Sequence, residues 1–250
     1  MKNLKIIPIN VGTLTVDKSE FTYMRNFGIK MQVPNIIWYI QGAEKKIMVD
    51  TGPCDPDWSN KYHFPMVRTP DQEPLNAIRK IGVDPKDIDI VLLTHLHWDH
   101  AFNNHLFTNA TFYVQKEELR YAIAPLPVHM KGYESVAIGL SPDYITKTKY
   151  TIIDGDMEIV QGVSVVLTPG HSPGSMCVKV DTAKGPILIA SDTVPLFENW
   201  KNTVAHIPRL PGAIHVGLVE YFNSLEKMAK ITDIVLPGHD PLVFEKTEYP

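Results

Sequence analysis

Cysteine is scarce: two residues in 250 are too few for a disulfide framework. Cys54 and Cys177 therefore read as two separate thiols, and a reducing, cytoplasmic compartment is expected. Long apolar runs are missing as well. No stretch approaches the ~20 residues needed to span a bilayer, which excludes a helical membrane protein. The opening segment Met1-Lys2-Asn3-Leu4-Lys5-Ile6-Ile7-Pro8-Ile9-Asn10 is interrupted by Pro8 and Asn10 before it is long enough for a signal peptide. Positive charge is not in excess either: 24 Lys and Arg against 28 Asp and Glu give a formal charge of -4, with no basic field to neutralise phosphates. Neither nucleic acid nor a membrane is an expected partner. With no tandem repeat, low-complexity tract or Ser/Gly linker, residues 1–250 read as a single domain.

Strand and helix signals interleave along the chain. Short runs rich in Ile, Val and Leu predict buried strands at Ile36–Ile40, Lys46–Asp50, Ile88–Leu93, Val163–Leu167, Ile187–Ala190 and Ile234–Leu236. Leu218, Phe222, Leu225 and Ala229 recur at helical spacing within 215–230. Pro74 in a first turn and Gly82 as a stop predict a helix over Pro74–Ile81, and a third is expected at Lys116–Ala122. This alternation predicts a layered α/β architecture. Two segments, 125–149 and 195–211, are rich in proline and aromatic residues and read as irregular, with binding loop and plain surface connection as the two readings. The apolar residues Phe21, Tyr23, Met24, Phe27 and Met31 are expected either to cover a groove or to form a strand edge.

The chemistry-bearing stretch is His95-Leu96-His97-Trp98-Asp99-His100, four potential metal ligands in six residues. In an extended segment or turn His95 and His97 face one side, leaving Asp99 and His100 for a neighbouring ion. Imidazole and carboxylate together suit zinc, iron, manganese or cobalt, and zinc is the expectation because it is borderline-soft and common in hydrolases. Further candidates stand just past predicted strands: Asp50 in Asp50-Thr51-Gly52, His171 in Pro169-Gly170-His171-Ser172-Pro173-Gly174, Asp192 in Ser191-Asp192-Thr193 and His239 in Pro237-Gly238-His239. Strand ends gather on one sheet edge, so these side chains can share a cleft.

The hexapeptide, followed in order by His171, Asp192 and His239, resembles the metallo-β-lactamase superfamily. That resemblance implies an αβ/βα four-layer sandwich of two mixed sheets between helical layers. Trp38-Tyr39-Ile40, Met48-Val49-Asp50-Thr51-Gly52 and Gly170-His171-Ser172-Pro173-Gly174 look like the N-acyl homoserine lactone lactonases, the quorum-quenching branch of that superfamily. The resemblance implies two divalent metal ions per chain, His95, His97 and His171 holding one, Asp99, His100 and His239 the other, and Asp192 bridging both. Asp50 is expected to orient a ligand imidazole instead of binding metal. It further implies a small-molecule substrate, a lactone opened by a metal-bridging hydroxide, with Asp99 passing the proton to the leaving oxygen, in a monomer or homodimer. One departure stands out. Lactonases of this type usually carry a tyrosine three residues after the bridging aspartate, where this chain has Pro195; Tyr23, Tyr133 and Tyr144 are the candidates to supply that hydroxyl from elsewhere.

Rival activities on the same metals are thioester, phosphodiester or cyclic amide hydrolysis, and a mononuclear-iron oxidoreductase of the persulfide dioxygenase type is a further alternative. His63, His105, His129, His206 and His215 fall outside the ligand pattern and are expected to be structural or surface residues, with His129 and His206 the better placed to touch substrate. Trp98 is expected to pack beneath the ligand layer.

Overall fold

The computed structural model describes residues 4–202, 204 and 206–250. Part of the opening segment (residues 1–3) and two positions of the second irregular segment (203 and 205) lie outside the described residues. Twelve strands are present among the described residues: β1 (Lys5–Asp17), β2 (Lys30–Gln41), β3 (Ile47–Val49), β4 (Met66–Val67), β5 (Ile90–Leu92), β6 (Thr111–Gln115), β7 (Tyr150–Ile153), β8 (Met157–Val160), β9 (Val163–Leu167), β10 (Met176–Thr182), β11 (Gly185–Ser191) and β12 (Val235–Pro237). They form two mixed sheets, one in the order β4-β1-β2-β3-β5-β6-β7 and the other β12-β11-β10-β9-β8. In the first sheet β1 to β4 pair antiparallel and β3, β5, β6 and β7 pair parallel. In the second, only β11 and β12 are parallel.

Side-chain alternation along the strands explains why the sheets stack. On β5, Ile90 and Leu92 point into a core shared with the second sheet, where they join Trp38, Val49, Val165, Val178 and Ile189. Val91 and Leu93 point the other way and pack with Ala77 and Ile78 of the helix Pro74–Lys80 and Ala122 of the helix Lys116–Ile123. The second sheet does the same outward: Val166, Cys177, Leu188 and Val235 bury against Leu225 and Met228 of the helix Leu218–Ala229. Each of those two helical side chains contributes roughly 1.5–3 kcal/mol through burial. The result is the expected αβ/βα layering.

All six expected strands and all three expected helices are present. Five longer strands had escaped: β1, β6, β7, β8 and β10. β1 crosses Pro8 and Asn10, the residues that seemed to break the opening run, and bulges between Asn10 and Thr13 as it pairs with β2. Pro8 itself pairs in regular register with Trp38, but β4 joins β1 only at Thr13 and Leu14, so Pro8 lies where β1 is an edge, and an edge accepts proline. Segment 125–149 contains 3-10 turns at Pro127–His129 and Val136–Ile138 and a short helix at Asp143–Thr146; 195–211 contains a helix at Phe197–Trp200. No helix of the described residues is long and apolar enough to cross a membrane.

Candidate metal centre

The ligand candidates come from loops at the carboxyl ends of β3, β5, β9, β11 and β12. Where parallel strands stop, their unpaired ends form the natural crevice of such sheets. Two of these turns use a non-glycine residue with positive φ, Asp50 at 61° and Ser191 at 47°. Such residues are uncommon and cluster at functional sites. The hexapeptide leaves β5 extended through His97, then enters the helix Trp98–Ala101, so the first two imidazoles and the last two ligands face different neighbours.

Seven residues converge into two groups whose candidate atoms lie within 4.8 Å of one another: His95, His97, His171 and Asp192, and Asp99, His100 and His239. In the first, His95 Nε2, His97 Nδ1 and His171 Nε2 stand 3.0–3.3 Å apart. Burial, then the neighbouring imidazoles, hold His95 far below its ordinary pKa. For His97, burial and the adjacent His171 lower the value to about 3. Neutral rings with lone pairs facing one point are what a cation needs.

The second group shows the opposite demand. Burial acts to lower His100, but the charges of Asp99 and Asp192 outweigh it and push the group well above its usual value. Burial likewise opposes, and His100 overrides, the ionisation of Asp99, which is held at about 2. Positive charge is therefore favoured at this position. Asp192 joins the groups. Its Oδ2 lies 3.4 Å from His171 Nε2, while its Oδ1 lies 3.0 Å from His239 Nε2 and 3.3 Å from His100 Nε2. Despite those distances, His100 Nε2, His239 Nε2 and Asp192 Oδ1 are buried with no hydrogen-bond partner. Short separation without hydrogen-bond geometry means that the atoms aim at a common point and not at each other. The donor set fits two divalent cations.

The far nitrogens are anchored, which fixes tautomer and ring direction. His100 Nδ1–H donates to Asp50 Oδ2 at 2.9 Å, the orienting role expected of Asp50, whose carboxylate also accepts from the Thr94 amide and hydroxyl. His171 Nδ1–H donates to the Ile214 carbonyl and His239 Nδ1–H to the Pro34 carbonyl, both at 3.0 Å. His97 is reversed: Nδ1 faces the cluster, and its Nε2 edge packs on Gly132, where an added methyl would sit 3.3 Å away.

Sequence reasoning missed Glu118. It is fully buried, and its carboxylate accepts from Leu96 N (2.9 Å), Tyr133 Oη (2.9 Å), Ser172 Oγ (2.5 Å) and Gly174 N (3.2 Å). It thus ties the hexapeptide to the His171 loop. Its neighbour Glu117 pairs with Arg120 on the exposed face, and nothing in the sequence distinguishes the two. The approach is close enough that only glycine fits at 174: a Cβ there would lie 2.2 Å from Glu118 N. Gly174→Ala is expected to cost about 3 kcal/mol through overpacking, read as a lowered urea midpoint; an unchanged midpoint would contradict this packing.

A cavity of about 320 Å³ opens over the clusters, reached by His97, Asp99, His171 and Asp192 and walled by Leu14, Phe21, Phe64, Trp98, Val128 and Ile214. Phe21 settles the early apolar segment in part: it stacks on His239 with centroids 5.2 Å apart, whereas Met24 and Phe27 are exposed and Met31 belongs to β2. Trp98 both packs and lines the cavity, stacked on His63 at 4.0 Å. Of the five histidines outside the pattern, His105 and His206 are exposed, while His63, His129 and His215 all line the cavity. None of Tyr23, Tyr133 and Tyr144 is among its walls.

Residues 33–239 match the family described as the Metallo-beta-lactamase superfamily. An N-acyl homoserine lactonase of Bacillus sp is 29% identical over 96% of this chain and 94% of its own length. The N-acyl homoserine lactonase AttM of Azorhizobium caulinodans is 31% identical over 96% of this chain and 95% of its own. A solved N-acyl homoserine lactone hydrolase with the product N-hexanoyl-L-homoserine bound at its catalytic metal center superposes with a TM-score of 0.80 at 25% identity, covering 98% of this chain and 96% of that one.

Proposed function

The chain belongs to the metallo-beta-lactamase superfamily, and from that premise we propose that it is a dinuclear metal-dependent lactonase acting on N-acyl homoserine lactones or closely related cyclic esters. The observation that carries this reading is the placement of Asp192, one carboxylate oxygen toward each ligand group. In this reading His95, His97 and His171 hold one ion, Asp99, His100 and His239 the other, and Asp192 both. Zinc suits a set of imidazoles and carboxylates without thiolate, with iron, manganese and cobalt as alternatives. Two such ions, when bound, lower the pKa of water and polarise an ester carbonyl.

The remaining work falls to the chain. Leu14, Phe21, Phe64, Val128 and Ile214 give the cavity apolar walls, which exclude water and suit an acyl tail. Asp99, ionised and 12% exposed at its side chain, stands where the cavity meets the cluster and can carry a proton to the leaving alkoxide. Asp50 and the Pro34 and Ile214 carbonyls hold the imidazoles so that ring opening needs no rearrangement of them. Because the site draws residues from Asp50 to His239 and from both sheets, residues 1–250 are taken as one catalytic unit.

Purified protein is expected to carry about two zinc ions per chain and to release acid from N-acyl homoserine lactones faster than from thioester, phosphodiester or β-lactam controls. Chelation should abolish that turnover and zinc restore it. One iron per chain with oxygen uptake, or turnover confined to a control substrate, would overturn the assignment.

A further inference from the structure

Among the basic side chains that line the cavity, four are not metal-ligand candidates: His63, His129, Lys131 and His215. Two of the imidazoles are each held through one ring nitrogen. His63 Nε2 lies 2.8 Å from Glu134 Oε1, and His129 Nδ1 lies 2.6 Å from the Tyr121 hydroxyl. Lys131 is exposed at the rim. Tyrosine hydroxyls, the other natural donors to a carbonyl, do not line this cavity: Tyr133 donates to Glu118 and Tyr221 to the Asp192 carbonyl, and neither Tyr23 nor Tyr144 is among its walls.

His215 is different. Among the described residues its ring makes contacts but no hydrogen bond: Tyr23 meets it edge-on at 5.5 Å, and Tyr221 lies alongside at 6.4 Å and 30°. Its Nδ1 is buried with no partner. An orphaned buried N–H is costlier than an orphaned lone pair, so the neutral ring keeps its proton on Nε2. A wall of the cavity therefore holds an unused N–H donor.

Its position is fixed relative to the ligands. The preceding carbonyl, that of Ile214, takes the Nδ1–H of His171, and the amides of Val216 and Gly217 both donate to the Gly170 carbonyl, at 2.8 and 3.3 Å. At the other end of the loop, a methyl added to Gly212 would lie 3.2 Å from the Tyr221 hydroxyl and 3.4 Å from Pro195 Cγ. The segment is thus seated between the His171 loop and Pro195.

Resting on the lactonase reading, we infer that His215 is the substrate-contacting donor of this site, its Nε2–H bonding a carbonyl oxygen of the bound lactone in place of a hydroxyl at position 195. The test compares zinc-loaded wild type, His215→Ala and His215→Gln, measuring kcat and KM with N-hexanoyl homoserine lactone, zinc per chain and thermal unfolding. The alanine variant should lose about 100-fold in kcat/KM, the low end of the range for removing a single carbonyl-binding donor. The glutamine variant, which keeps an N–H, should recover to within about 5-fold of wild type on the same reasoning. Both should retain wild-type zinc. An alanine variant within 2-fold of wild type, or a loss that tracks zinc content, overturns the assignment while leaving the lactonase reading standing. A wild type that opens no lactone overturns that reading, and this assignment with it.

Discussion

Asp192→Asn is expected to lower kcat/KM for a lactone by about 10³-fold or more and to reduce bound metal from two ions per chain toward one. The exchange is nearly isosteric, so the packing around position 192, which is only 6% exposed, survives. What changes is charge and the sense of one atom. In the native chain Oδ1 faces His100 and His239, and Oδ2 faces His171. An amide can present an acceptor to only one group, and its NH₂ then opposes nitrogen lone pairs on the other. The loss of negative charge also removes one of the three carboxylates around His100, leaving Asp50 and Asp99. Kinetics, metal content and thermal unfolding measured on the same preparation separate the roles: the expected outcome is a folded protein with depleted metal and little activity. Full activity with two ions bound would show that Asp192 does not join the sites.

How much of this was legible in the sequence depends on how locally each feature is encoded. The candidate ligands were legible because they follow strands by a few residues, and strand ends in α/β layers have only one edge to share; His95, His171, Asp192 and His239 needed no knowledge of distant packing to be picked out. Asp50 stood out because it follows β3 in the same way; its orienting role came with the family resemblance, and His100 Nδ1 donates to it. Strands with mixed faces were harder. β10 carries Lys179 and Asp181 on its outer positions, paired at 2.9 Å, so its inward Val178 and Val180 look isolated in sequence. β1 hid behind Pro8 and Asn10, whose strand character depends on eleven paired positions with β2 and, for Pro8, on the open edge before β4 joins.

Beyond Asp50 and Trp98, the residues around the ligand candidates were not legible. His215 belongs to a loop without ligand spacing, and only the bonds from Val216 and Gly217 to Gly170 bring it over the cavity. His206 was given the better chance of touching substrate because it sits in an irregular segment, yet it is exposed, while His215 lines the wall. Irregularity in sequence marks a loop; it does not say which way the loop folds. The same applies to the tyrosine question at Pro195. The candidate hydroxyls were judged by residue type, but a hydroxyl is useful only if free and facing the cavity: that of Tyr133 is committed to Glu118, and neither Tyr23 nor Tyr144 is among the cavity walls.

Glu118→Ala is expected to be the most damaging change outside the ligand set, costing about 4 kcal/mol of stability. Glu118 has no cation partner among the described residues. Burial pushes its pKa up, and the ionised form is supported by the Ser172 hydroxyl, the Leu96 amide, the Tyr133 hydroxyl and the Gly174 amide. Truncation strands all four donors in a site closed to water, and each buried unsatisfied group costs roughly 1–3 kcal/mol, less whatever relaxation recovers. Two of those donors border ligands: Leu96 lies between His95 and His97, and Ser172 follows His171. Tyr133 meets the His97 ring edge-on at 4.7 Å, so its release would loosen that imidazole as well. The destabilisation should therefore appear together with weaker metal retention, measured as urea midpoint and zinc content under competing chelator. Glu118→Gln discriminates between shape and charge. It preserves volume but presents an NH₂ to a ring of donors, so it should recover only part of the loss; a glutamine variant as stable as wild type would mean that the carboxylate's charge is not what binds the two loops.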